Sequence, residues 1–83
     1  MNNSIFYNDT FKILLTLKES EIAIGNEKYS LLLYKDIGDK LGFTRQTVSK
    51  YMKVLEENGY IEIINRGRTK ITEEGNKIIK KIK

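Results

Sequence analysis

The segment LGFTRQTVSKYMKVLEENGY, residues 41–60, packs a turn, a cap and an amphipathic helix into consecutive residues. It holds a glycine turn at Gly42, a polar cap at Thr44, and a helix to about Asn58 that Gly59 terminates. At about 100° per residue, Val48, Tyr51, Met52 and Leu55 form one apolar stripe. The opposite side carries Gln46, Ser49, Lys50 and Lys53, with Arg45 at the edge of the first turn. The stripe requires a surface to bury against. The polar face has almost no acid before Glu56, whereas a merely solvated face more often mixes signs along its length.

The residues just before supply that surface. Lys35 to Leu41 reads as a short helix with Ile37 and Leu41 inward, ended by Gly42. Two helices that cross steeply after a three- or four-residue turn need a small residue where they approach most closely. Gly38 sits there, and Gly42 supplies the backbone freedom for the turn. Ile37, Leu41, Val48, Tyr51 and Leu55 fill the space between. The joint spacing of Gly38, Gly42, Val48 and Tyr51 resembles the helix-turn-helix pattern of DNA-binding regulators.

Further out, Asn8 to Lys18 has helical periodicity in Phe11, Leu14, Leu15 and Lys18, with Asn8 or Asp9 as its cap. In Glu19 to Ser30, EIAI alternates and GNEK is turn-like; a short strand is favoured near Tyr29 to Leu33. After Gly59, YIEII and TKIT flank the Gly-containing loop NRGR, which is a hairpin signal. Thr72 caps a last helix, EEGNKIIKKIK, with Glu73 and Glu74 at its positive end and Lys77, Lys80 and Lys81 towards its negative end. The expected fold is α+β and mostly helical. This order of elements resembles a winged helix-turn-helix, with a three-helix core, a β-hairpin wing at about 60–71 and a C-terminal helix at about 73–83, in one domain over 1–83.

Composition narrows the chemistry. The 83 residues include no Cys, no His and no Pro. Thiol chemistry, zinc-finger spacing and His-based acid–base catalysis are excluded. No apolar run approaches the roughly 20 residues of a membrane span, and MNNSIFYNDTF lacks the layout of a secretory signal. The expected location is therefore cytoplasmic, with no membrane partner. The net charge is +4, unevenly spread. Residues 1–43 carry five Lys/Arg against six Asp/Glu, and residues 44–83 carry ten against five. Basic charge concentrated from Thr44 onward points to a polyanionic partner, most often nucleic acid.

The first turns of a second helix so placed enter the major groove of DNA. Gln46 and Arg45 have the chemistry to read adenine and guanine edges there, and Ser49, Lys50 and Lys53 to contact bases or phosphates. Thr44 and Thr47 complete the first turn. In the hairpin, Arg66 and Arg68 flank Gly67 with Lys70 behind, a cationic tip suited to DNA backbone or minor groove. The expected DNA-binding set is thus Thr44, Arg45, Gln46, Thr47, Ser49, Lys50, Lys53, Arg66, Arg68 and Lys70.

From about Leu33 to Ile82 the chain resembles winged-helix repressor domains of the MarR/ArsR type. YKDIGDKLGFTRQTVSKYMKVLEENGYIEII is similar to their helix-turn-helix plus first wing strand, and ITEEG, Ile71 to Gly75, to a recurring phrase. The resemblance implies a recognition helix from Thr44, a wing at Asn65 to Thr69, and binding of double-stranded DNA as a homodimer. Apolar residues of the first helix (Phe6, Tyr7, Phe11, Leu14, Leu15) and the last (Ile78, Ile79, Ile82) could cover each other within one chain or across a two-fold axis. The chain departs from the family in its very short wing. It also lacks the long extra dimerisation helices and the Cys and His metal sensors. No cofactor, metal or small-molecule ligand is therefore expected.

Three readings follow. The first is a sequence-specific transcriptional regulator, a repressor. The second is a winged helix used for protein–protein interaction, which would lose the basic helix face and tip that this chain keeps. The third is a sequence-independent DNA-coating or replication-origin protein using the same surface. An enzyme is not expected: the adjacent acids Glu56/Glu57 and Glu73/Glu74 sit where helix surfaces need solubility or dipole compensation.

Overall fold

The computed structural model describes residues 3–82, with side chains described from Asp9 to Lys81. Eight elements follow one another: α1 Asn3–Glu19, β1 Glu21–Ile24, β2 Glu27–Ser30, α2 Tyr34–Leu41, α3 Arg45–Glu57, β3 Ile61–Asn65, β4 Arg68–Ile71 and α4 Glu73–Ile82. The fold is a winged helix-turn-helix of mixed α and β composition, with four helices and an antiparallel sheet ordered β1-β2-β4-β3.

The three-helix core is built from one apolar face of each helix. Ile13, Leu14 and Leu17 of α1, Ile37 of α2, and Val48, Met52 and Leu55 of α3 have no exposed surface. Ile61, Ile71 and Ile79 close the core from the wing and α4. Tyr51, placed in the same stripe by periodicity, is only half-buried and meets Phe43 edge-on at 6.0 Å.

The turn between α2 and α3 is closed by one carbonyl. The N–H groups of Gly42 and Phe43 both donate to Gly38 O, at 2.8 and 3.0 Å, with Gly42 at φ 78°. This brings the Phe43 carbonyl back over α2. A Cβ on Gly38 would lie 2.5 Å from Phe43 O and 3.6 Å from a Val48 methyl. The constraint on residue 38 therefore comes first from the turn's own backbone and only second from α3.

The end of α3 is equally defined. Tyr60 N–H donates to Leu55 O and Gly59 N–H to Glu56 O, each at 3.0 Å, with Gly59 at φ 79°. This is a Schellman closure, and it turns the chain directly into β3. Thr72 then caps α4, its Oγ1 accepting the Gly75 N–H at 3.0 Å.

Two readings are corrected. α1 starts at Asn3, so Asn8 and Asp9 lie inside the helix and do not cap it. The side chains of Phe6, Tyr7 and Ile82 lie outside the described residues. The segment before α2 holds two strands, not one near Tyr29 to Leu33. Glu21–Ile24 and Glu27–Ser30 pair around Gly25 and Asn26, with Gly25 at φ 64°. Positive φ at the first central position alone fits a type II′ turn. β2 then joins β4 through the pair Ser30 and Thr69, which ties the first hairpin to the wing.

Replacing Gly38 by Leu should destabilise the protein by about 1–3 kcal/mol, through overpacking against backbone that cannot move aside. The loss is net of the roughly 1 kcal/mol by which helix propensity favours a larger residue over Gly. Urea unfolding measures it, and a midpoint equal to the parent's would show that the Phe43 carbonyl is not a fixed wall.

Candidate nucleic-acid interface

α3 begins with a side-chain cap. Thr44 Oγ1 accepts the Thr47 N–H at 3.1 Å and donates to Thr47 Oγ1 at 3.0 Å. Both hydroxyls are thus engaged in starting the helix, which fixes the direction of its first turn. Arg45, Gln46, Ser49, Lys50 and Lys53 are exposed along the face opposite Val48, Met52 and Leu55. Among the described residues, Arg45, Lys50, Lys53 and Arg66 form no ion pair. The cations that do are Lys12, Lys18, Lys35, Lys70 and Lys77.

The wing stands beside the start of this helix. Arg45 and Arg66 line one groove of about 390 Å³ together with Lys35 at the start of α2. Its floor is apolar, formed by Ile63 with Leu33 and Ile64, which are 43% and 41% exposed. Ile64 sits at a register shift between Ile63 and Asn65, where a bulge re-aims the strand. No acid lines the groove. Tyr34, on its wall, has its phenol pKa pushed up by burial and further by the charge of Glu56.

The three wing cations differ in surroundings. Arg66 is exposed at the tip. Arg68 is half-buried, with its guanidinium 5.0 Å from the centre of the Tyr29 ring. Lys70 donates to Glu27 Oε1 at 2.6 Å and faces Glu62 across the β3–β4 pair. Its ammonium pKa is raised above the usual value by the hydrogen bond to Glu27, against desolvation, with the charges of Glu27 and Glu62 adding. Lys70, expected behind the tip in the DNA-binding set, is already matched by a carboxylate.

Ten residues were expected at the site. Of these, the structure brings Arg45 and Arg66 to one groove and leaves Gln46, Ser49, Lys50 and Lys53 on the adjoining helix face. Thr44 and Thr47 bond to each other, Arg68 lies against the Tyr29 ring, and Lys70 is set apart with Glu27. Reading the sequence missed Lys35 at the groove, and Tyr29 and Glu27 as partners of wing cations. The pair Gly25-Asn26 between two four-residue runs was the available signal for the hairpin that carries the last two, though not for its contact with the wing.

Comparison with known proteins now separates the families. Residues 11–75 match the family model described as a Crp-like helix-turn-helix domain. The chain belongs to the Crp-like helix-turn-helix domain family. Its general function is that of a DNA-binding transcriptional-regulator domain. The resemblance to MarR/ArsR-type regulators is thereby overturned. It rested on the helix-turn-helix and first wing strand, Tyr34 to Ile64, and on Ile71 to Gly75, segments whose packing demands are common to winged helices. The Crp-like match begins at Phe11 and takes in most of α1 and the β1–β2 hairpin.

Among solved structures, the chain is similar to the reduced (FeII) CO-sensing protein from R. rubrum, with a TM-score of 0.78 and 22% identity. The likeness covers 86% of this chain and 34% of that one, so the chain spans about a third of that protein's length. It shows the shared fold. No curated protein matches the chain in sequence. Among the described residues no group of acids could hold a metal ion, and no helix is long and apolar enough to cross a membrane.

Removing the Thr44 hydroxyl tests the construction of this Crp-like helix start. Thr44→Ala should cost about 1 kcal/mol of stability, and Thr44→Ser should restore most of it. Equal melting of all three proteins would show that the Thr44–Thr47 bonds do not hold the first turn.

Proposed function

We propose that this chain is the DNA-reading part of a transcriptional regulator, with α3 in the major groove and the wing on the adjacent backbone or minor groove. One observation carries the reading. The outward face of α3 presents Arg45, Lys50 and Lys53 without ion pairs, and Arg45 shares an acid-free groove with Arg66. Cations left unmatched on two neighbouring elements suit a polyanion that spans both.

Roles are divided by position. Gln46 is in the first turn and exposed, so its amide addresses a base edge. Arg45 reads bases or bridges to phosphate at the groove. Ser49, Lys50 and Lys53 follow along the face, with phosphate as the partner of Lys53. Thr44 and Thr47 act by setting the helix start. Arg66 holds backbone or a narrow minor groove, Arg68 supports it, and Lys70 contributes least because Glu27 and Glu62 surround it. The proposed regulatory sense is repression by occupancy of the site. A reporter whose output rises when the chain occupies its preferred site would contradict that sense alone. The CO sensing of the R. rubrum protein is not carried over, since the likeness covers 34% of that protein.

Binding as a homodimer belongs to the same proposal. Leu14 and Ile79 are buried within one chain, so they give no support to an intersubunit surface. Phe11, Leu15 and Ile78 pack against the same chain's core as well, and the part of their surface left exposed is what supports a dimer. A dimer favours an inverted repeat with half-sites about one helical turn apart. Only monomer in light scattering, both free and with such a duplex, would remove this part.

The log–log dependence of affinity on salt should have a slope of about −4 to −7 for a dimer that neutralises roughly four to eight phosphates. Gln46→Ala should cost about 1–3 kcal/mol on the preferred site and little on random duplex. Arg66→Ala should weaken both duplexes alike and reduce the slope by about one per protomer. Equal weakening of the two duplexes by Gln46→Ala would mean that α3 does not read bases, and sequence-independent coating would become the better account.

A further inference from the structure

Tyr29 lies outside the helix-turn-helix and outside the wing, yet it touches a wing cation. Ser30 pairs with Thr69 across β2 and β4, and both are buried. Side chains alternate along strands, so the neighbours Tyr29 and Arg68 project together on the opposite face of the sheet. There the Arg68 guanidinium lies 5.0 Å from the ring centre, within the roughly 6 Å range of cation–π attraction.

We propose that Tyr29 is a positioning residue for DNA binding, its ring holding Arg68 at the root of the wing in readiness for phosphate. This rests on the DNA reading above. A guanidinium attracted to a ring face keeps its edge N–H groups for hydrogen bonding. A free arginine must give up rotamer freedom when it meets a phosphate, and one already held gives up less. Lys70, two residues on, has the opposite arrangement. Its partner Glu27 is a carboxylate that competes with phosphate. The first hairpin therefore sorts the wing cations: Tyr29 presents Arg68, Glu27 neutralises Lys70, and Arg66 is left exposed.

The test starts without DNA. In the free protein, the Arg68 Nε–H resonance should be shifted upfield by the ring current. The shift should persist in Tyr29→Phe and be lost in Tyr29→Ile, a substitution that keeps strand propensity. Its absence in the parent overturns the proposal whatever the DNA result. Fluorescence anisotropy with a random-sequence duplex follows, on the full chain. Tyr29→Phe should bind like the parent. Tyr29→Ile should bind about 2–5-fold more weakly, the size of an exposed cation–π contact. In an Arg68→Ala background, Tyr29→Ile should cause no further loss. Loss in Tyr29→Phe equal to that in Tyr29→Ile, or an undiminished effect of Tyr29→Ile without Arg68, overturns the proposal while leaving DNA binding in place. A parent that shows the ring shift and binds no duplex overturns the DNA reading itself, and with it any role for Tyr29 in DNA binding.

Discussion

The carbonyl of Phe43 rests against α2 where the Cβ of any residue other than glycine at position 38 would stand. That contact lets the turn close on the Gly38 carbonyl with two hydrogen bonds. The closed turn starts α3 at Thr44, and its cap sets the rotation of the helix. Rotation decides everything downstream. With Val48, Met52 and Leu55 inward, Arg45, Gln46, Ser49, Lys50 and Lys53 must be outward. A rotation of one residue would bury cations and expose the core stripe.

The exit from α3 transmits the same constraint to the wing. The closure at Gly59 sends the chain into β3 with only Tyr60 between them. Gly75 is buried beneath the Tyr60 carbonyl, where a Cβ would collide with it. The start of α4 is thereby seated against the start of the wing. Thr72 Oγ1 donates to Gly59 O at 2.6 Å while accepting from Gly75 N. Helix α3, the wing and α4 are thus joined at one corner.

The parts legible in the sequence are those specified locally. The stripe of α3, its Thr44 cap and the Gly59 stop fall within seventeen consecutive residues, 44–60. The wing and the Thr72 cap are equally local. The first hairpin was harder because β1 and β2 have four residues each. Two exposed central positions in β1 and two exposed leading ones in β2 hide the alternation of a half-buried strand. Its pairing with β4 joins Ser30 to Thr69, far apart in the chain. No local rule reports such a contact, so Glu27 and Tyr29 could not be matched to Lys70 and Arg68. The family was misread for a related reason: the phrases that carried the resemblance lie in the helix-turn-helix, the wing and the start of α4, and the segment ahead of them was the part read poorly.

In the proposed mode of binding, α3 and the wing form a single surface for DNA. Amide shift mapping by NMR, on titration with a duplex containing the preferred site, tests it most directly. The largest changes should fall at Arg45, Gln46, Ser49 and Lys50 and, together with them, at Arg66 and Gly67. The strip around Glu27, Glu62 and Lys70 should change little. Changes centred on that strip or on α4, with α3 undisturbed, would contradict it.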